Sequence, residues 1–179
     1  MKYESIGMGL SVNTGPPERD AAVESKYTKP FIDATIKVLE TMAFTPPRLV
    51  ETCLWDQAHA VGEVVGVVGL AGREKNIKGF LSIGFTEASI VQIVSNMFGE
   101  EFESMNTEVK EAVGEIANMI SGQARQGLSA MGVKLEGGLP SIVSGKKLVM
   151  GSSGKKPLIM IKFEVEKGPF EVGVCIDGL

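Results

Sequence analysis

Four short apolar runs, arriving in two pairs, most constrain what this chain can fold into. Residues 63–70 and 77–85 lie either side of the polar stretch Arg73, Glu74, Lys75 and Asn76. Residues 158–165 and 170–176 lie either side of Gly168 and Pro169. Val- and Ile-rich runs of this length, bounded by turn residues, read as strands, and two with a turn between them read as a hairpin. Ahead of each pair, apolar residues recur at helical spacing. The first set is Phe31, Ile32, Thr35, Ile36, Leu39 and Met42; the second is Val109, Val113, Ile116, Ala117, Ile120 and Ala124. A helix followed by a hairpin, twice over, points to the α/β class of α+β type, with helices packed on a mixed or antiparallel sheet.

The remaining punctuation sets the expected boundaries. Residues 1–27 carry Gly, Pro and Ser with no period, so a flexible leader is expected there and a folded domain over 28–179. Thr28 is placed to cap the first helix with Pro30 in its first turn, and Pro46 and Pro47 stop it. A strand is expected over 48–56. Thr86 and Ser89 open a second helix that runs through Met97 and closes at Gly99. A third helix starts near Asn106 or Thr107, with acids in its first turns, and ends near Gly132. Further strands are expected over 139–143 and 148–151, with Gly168 and Pro169 turning the last pair. Either 148–151 or one of the hairpin strands could form a free edge.

Several function classes are excluded by composition. The net charge is −4, and the densest basic spots are only Lys146–Lys147 and Lys155–Lys156, in turn-like sequence. Eight Phe, two Tyr and one Trp offer no stacking platform. Both facts argue against a nucleic-acid partner. No apolar run approaches the ~18 residues of a membrane span, and the first residues lack the pattern of a signal peptide. The expectation is a cytoplasmic protein with no membrane partner. Cys53 and Cys175 both fall in strand-like runs and read as small buried residues rather than a disulfide. The single His59 reads as a loop residue.

The third helix carries the candidate site. Glu111, Glu115, Asn118 and Gly122 fall within about 60° of one another around it, opposite the apolar stripe. A rigid element thus presents a carboxylate and an amide side by side, with a gap at Gly122. Two readings fit that spacing: a solvated helix face, or a docking or catalytic face. Self-sufficient catalysis is poorly supplied elsewhere. There is no Gly-x-Ser-x-Gly elbow, no Lys-Ser/Thr phosphate loop and no acidic cluster spaced for Mg2+.

The Glu-x-x-Asn pair at 115 and 118, opening a long helix that continues into Ser121, Gly122, Gln123 and Ala124, resembles the signature of the CheC/CheX/FliY family of chemotaxis phosphatases. Residues 30–42 are similar to the first helix of CheX, and Pro140 stands where family members carry a proline after the motif. The order of elements agrees, and the resemblance covers about residues 28 to 179. The position four before the motif Glu, Asp or Ser in family members, is Glu111 here. Aligning the two helices on Glu40 and Glu115 sets Ala43 opposite Asn118. One Glu-x-x-Asn pair per chain is the CheX arrangement.

That resemblance implies a pseudo-twofold CheC-like fold, a homodimer and a phosphorylated CheY-like receiver domain as partner. It assigns Asn118 to orienting the attacking water and Glu115 to holding the partner. Glu111, Met119 and Gly122, with Gln126 and Arg125 beside them, would extend the docking surface. No cofactor is implied for this chain; the Mg2+ belongs to the receiver. Two rival readings stand beside it. One is a non-catalytic receiver-binding or flagellar-switch-like module, which has no need of an amide aimed at an acyl phosphate. The other is a small-molecule enzyme with Glu115 as general base, which would want a second titrating group and a pocket.

Overall fold

A computed structural model describes residues 27–55, 59–60, 62–72, 76–146, 148–150 and 158–178. The leader expected over 1–27 therefore lies outside the described residues except for Tyr27. So do Asp56, Gly151 and most of the loop expected around Arg73 to Asn76.

The elements are α1 (Lys29–Met42), β1 (Arg48–Trp55), β2 (His59–Ala60), β3 (Val64–Gly72), β4 (Lys78–Phe85), α2 (Glu87–Phe98), α3 (Thr107–Ala130), β5 (Leu135–Gly137), β6 (Ser141–Ser144), β7 (Val149–Met150), β8 (Leu158–Val165) and β9 (Gly168–Asp177). Seven strands form one antiparallel sheet in the order β1-β8-β9-β4-β3-β5, with β6 sharing the outer side of β3 with β5. The short pair β2 and β7 stands apart, so His59 is in a strand and not a loop.

Both expected hairpins form. Val64 pairs with Phe85 along β3 and β4, and Val165 pairs with Gly168 across β8 and β9. The second pairing corrects the expected turn. Glu166 and Lys167 are the two turn residues, and Gly168, at φ +155°, is already the first residue of β9. The hairpin-edge expectation is corrected as well. β3 is paired on both sides, and β4 lies between β3 and β9, so neither is free. The outer positions belong to β1 at one side and to β5 and β6 at the other.

All three helices contribute to the core on one face of the sheet. Phe31, Leu39, Ile90, Ile93, Ile116 and Ile120 meet Val64, Val68, Leu81, Ile83 and Phe85 there. Phe85, Phe170 and Phe163 line up across β4, β9 and β8, with ring centroids 5.3 and 5.2 Å apart. Aromatic neighbours on adjacent strands stabilise the pairing beyond their area burial. The other face carries a smaller cluster of Cys53, Val65, Leu158, Met160 and Cys175, with Leu148 and Met150 against it. Both cysteines are buried, as their strand-like context suggested, and no disulfide joins them.

Helix ends follow their local chemistry. Thr86 Oγ1 accepts from the Ser89 amide at the start of α2, and Gly99, at φ +68°, closes it. Asn106 Oδ1 accepts from the Val109 amide at 2.9 Å and starts α3. Thr28 departs from expectation: its backbone is already helical and its side chain makes no cap bond, so Pro30 alone marks the entry to α1.

Candidate functional site: an exposed face of α3

Helix α3 is held in place from below. Val109, Val113, Ile116, Ala117, Ile120 and Ala124 are all fully buried. Gly66 of β3 makes room for them, since a β-carbon there would lie 2.9 Å from the Ala117 β-carbon. Beside it runs α1, antiparallel, with Pro30 against Gly127 and Lys37 Nζ donating to Gln123 Oε1 at 3.1 Å. With one side packed on the sheet and one flank on α1, α3 has little freedom to roll.

Its outward side carries the predicted pair. Glu111, Glu115 and Asn118 are exposed, and Met119 and Gly122 are half-buried beside them. Nothing lies within 4 Å of a β-carbon placed on Gly122, so the gap read from sequence is open space. A groove of about 500 Å³ does run between α1 and α3, lined by Asp33, Lys37, Gln123, Gln126 and Met131 among others. It contains neither Glu115 nor Asn118. Both side chains are exposed on the helix surface rather than set in that groove. Among the described residues, no three His, Cys, Asp or Glu side chains group to hold a metal. Nor is any helix long and apolar enough to cross a membrane.

Helix α1 does not repeat the pair. Glu40 is exposed, but Ala43, the counterpart of Asn118, is 1% exposed and is where the helix ends. Of these two helices, α3 alone carries the exposed carboxylate and amide together.

Sequence reasoning missed the segment lying along the other flank of α3. A β-carbon on Gly114 would lie 3.1 Å from Ile142 Cδ1 and 3.7 Å from Pro140 Cγ. One on Gly137 would lie 3.0 Å from Arg125 Nε. Residues 137–142 thus pass beside α3 from Arg125 to Gly114. Two buried polar atoms, Ser121 Oγ and Arg125 Nε, have no hydrogen-bond partner among the described residues. The glycine inside a helix at position 114 was the available signal, because an interior glycine often marks a close approach.

The chain matches the family model described as chemotaxis phosphatase CheX over residues 64–164. The CheY-P phosphatase CheX of Thermotoga maritima is 29% identical over 97 residues, covering 54% of this chain and 59% of that protein. The chain's match thus spans about three fifths of the length of that curated relative. A CheC-like superfamily protein from Shewanella sp. PV-4 is 34% identical with a TM-score of 0.79, over 85% of this chain and 97% of that one. The CheX–CheY–BeF3–Mg+2 complex from Borrelia burgdorferi shares the fold at 23% identity and a TM-score of 0.70, over 84% of this chain and 97% of that one.

Proposed function

This chain belongs to the CheX family of chemotaxis phosphatases, and on that premise we propose that it hydrolyses the aspartyl phosphate of a CheY-like receiver domain. Water attacks phosphorus, the bond from phosphorus to the aspartyl oxygen breaks, and the Asp carboxylate leaves. The water's protons end on phosphate oxygens or in solvent. The receiver brings its own Mg2+ and Lys, which balance the phosphoryl charge.

The chain's part is positioning, which accounts for most of the acceleration in phosphoryl transfer. The Asn118 amide both donates and accepts, so it can fix a water in line with the scissile bond. It cannot take a proton at neutral pH. Glu115 supplies an acceptor for a receiver cation, most simply that Lys, in a charge-assisted contact. Glu111, Met119 and Gly122 surround the pair and complete the docking face. The observation that carries this reading is that Glu115 and Asn118 are both exposed on a helix whose opposite side is fully buried. Such a helix holds an inserted amide still while a partner closes over it.

A homodimer and a cytoplasmic location go with the family reading. Among the described residues β1 is paired on one side only, and its outer edge is available for a second copy.

The test is the decay of a phosphorylated CheY-like receiver with Mg2+, alone, with this protein and with Asn118→Ala. Faster decay that the substitution abolishes while binding persists supports the reading. Binding with unchanged decay leaves a receiver-binding module, and no binding to any cognate receiver removes the proposal.

A further inference from the structure

The edge segment beside α3 contains a bulge. β5 meets β3 at Leu70↔Gly137, and β6 meets it at Val67↔Ser141. The Gly138 amide donates to the Gly69 carbonyl at 2.8 Å, so pairing continues one residue past β5. From there β3 has only Val68 left before Val67, whereas the edge segment has Leu139 and Pro140. Two residues thus oppose one. Pro140 suits that place, since it has no N–H to offer a ladder. Bulges at sheet edges re-aim side chains, often beside active sites.

The bulge falls along the flank of α3 that Asn118 shares. Gly114, Asn118 and Arg125 lie within about 40° of one another around α3, so they share one flank of the helix. Gly137 is level with Arg125, while Pro140 and Ile142 are level with Gly114. Leu139 lies in the chain between those two contacts, as Asn118 lies in the helix between Gly114 and Arg125. Pro140 and Ile142 turn onto Gly114, but Leu139 is 91% exposed, more than any other large apolar side chain described. Scattered exposed leucines are ordinary. This one sits at an inserted residue, on the segment along the flank that an exposed amide shares, with the half-exposed Ile142 and Val143 following it.

We propose that Leu139 is an apolar anchor for the phosphorylated receiver, filling a hydrophobic contact on the receiver surface next to its aspartyl phosphate. The proposal rests on the phosphatase reading for its occupant. A surface that must seat an amide against an acyl phosphate also has to exclude bulk water from one side. The α3 stripe is polar and cannot do this; Leu139 and Ile142 are apolar and exposed on the segment along the same flank, and would do so once the receiver covers them. The anchor acts on docking, and Asn118 acts on the water. Their losses therefore separate kinetically.

The experiment compares Leu139→Ser, Leu139→Met and Asn118→Ala with the unchanged protein. Binding is measured with beryllofluoride-loaded receiver and turnover with phosphorylated receiver. Leu139→Ser is expected to raise both Kd and KM about 10-fold or more, as losing one buried leucine contact implies. Its kcat and melting temperature stay unchanged, and Leu139→Met restores the affinity. Asn118→Ala shows the reverse pattern, with kcat lost and Kd kept. Unchanged Kd and KM in Leu139→Ser overturn the anchor and leave the phosphatase reading standing. Absent turnover in the unchanged protein sinks the phosphatase reading, while the Kd of Leu139→Ser still decides the anchor. Failure of the unchanged protein to bind overturns both.

Discussion

Gly66 and Ala117 meet where strand and helix press together. A β-carbon on Gly66 would stand 2.9 Å from that of Ala117 and 3.2 Å from Val113 Cγ1. The contact lies directly beneath the turn holding Glu115 and Asn118. Gly66→Ala must lift α3 or distort β3, at a cost of about 1–3 kcal/mol. Urea denaturation should show that loss. Receiver dephosphorylation should fall by more than the unfolded fraction explains, because the helix that carries the pair has moved. Activity that tracks the folded fraction alone would mean that the helix height does not matter.

Glu115 and Asn118 are exposed, so removing them should cost almost nothing in stability. Glu115→Ala and Asn118→Ala are each expected within about 0.5 kcal/mol of the unchanged protein in chemical denaturation. Any large loss of function in them is then a loss of chemistry or docking. Glu115→Ala should chiefly weaken receiver binding, and raised salt should cost the unchanged protein more affinity than the variant, since the charge contact is already missing there.

Phe44 is a non-glycine residue with positive φ, at +49°, and it is 70% exposed. Its backbone is held there by a tight helix exit: the Thr45 amide donates to the Leu39 carbonyl at 2.9 Å, and Asn96 Nδ2 donates to Thr45 Oγ1. Left-handed backbone is unfavourable for a side chain with a β-carbon. Phe44→Gly should therefore raise stability by about 0.5–1 kcal/mol, even though it removes a large side chain. A lower melting temperature would show that the ring packs more firmly than its exposure implies.

Cys53 sits fully buried on β1, and burial pushes its thiol above the usual value of 9.0. The neutral thiol is the form that the fold accepts. The folded pKa is raised relative to the unfolded chain, so this contribution is fully present below pH 9 and is lost as pH rises through the folded value. Stability measured between neutral and strongly alkaline pH should decline at the top of that range. Cys53→Ala should lose this part of the slope while being less stable at neutral pH. Identical slopes would remove the thiol as a cause. In the native state at neutral pH, Cys53 should also resist a thiol reagent.

The long periodic elements were legible because each encodes its own burial. The α3 stripe, the caps at Thr86 and Asn106, the glycine stop at position 99 and both hairpins follow from spacing and turn chemistry alone. The outward position of Glu111, Glu115 and Asn118 was legible for the same reason, since a polar stripe opposite an apolar one can only face outward. What stayed hidden depends on partners far away in sequence. β5 buries only Leu135 of its three residues, too few to make a pattern. The run over 139–143 looks like one strand, but it is a bulge followed by β6, and only pairing with β3 reveals the extra residue. The Glu166–Lys167 turn was misplaced because Gly168 and Pro169 carry the stronger local turn signal. The register of β9 overrides it.

The pairing of β1 with β8 sets an order on assembly. Arg48 pairs with Glu164, and among the described residues the only neighbour of β1 in the sheet is β8, more than a hundred residues further along. While the protein is being made, β3 and β4 can close their hairpin early and the helices can form locally. β1 meanwhile waits with its backbone groups unanswered until β8 and β9 arrive. Pairings so distant in sequence are slow to form and leave strand edges open meanwhile. The stretch from Arg48 to Trp55 is therefore the part most in need of protection in a nascent chain, and a truncation before β8 would release a domain with an unpaired strand at its start.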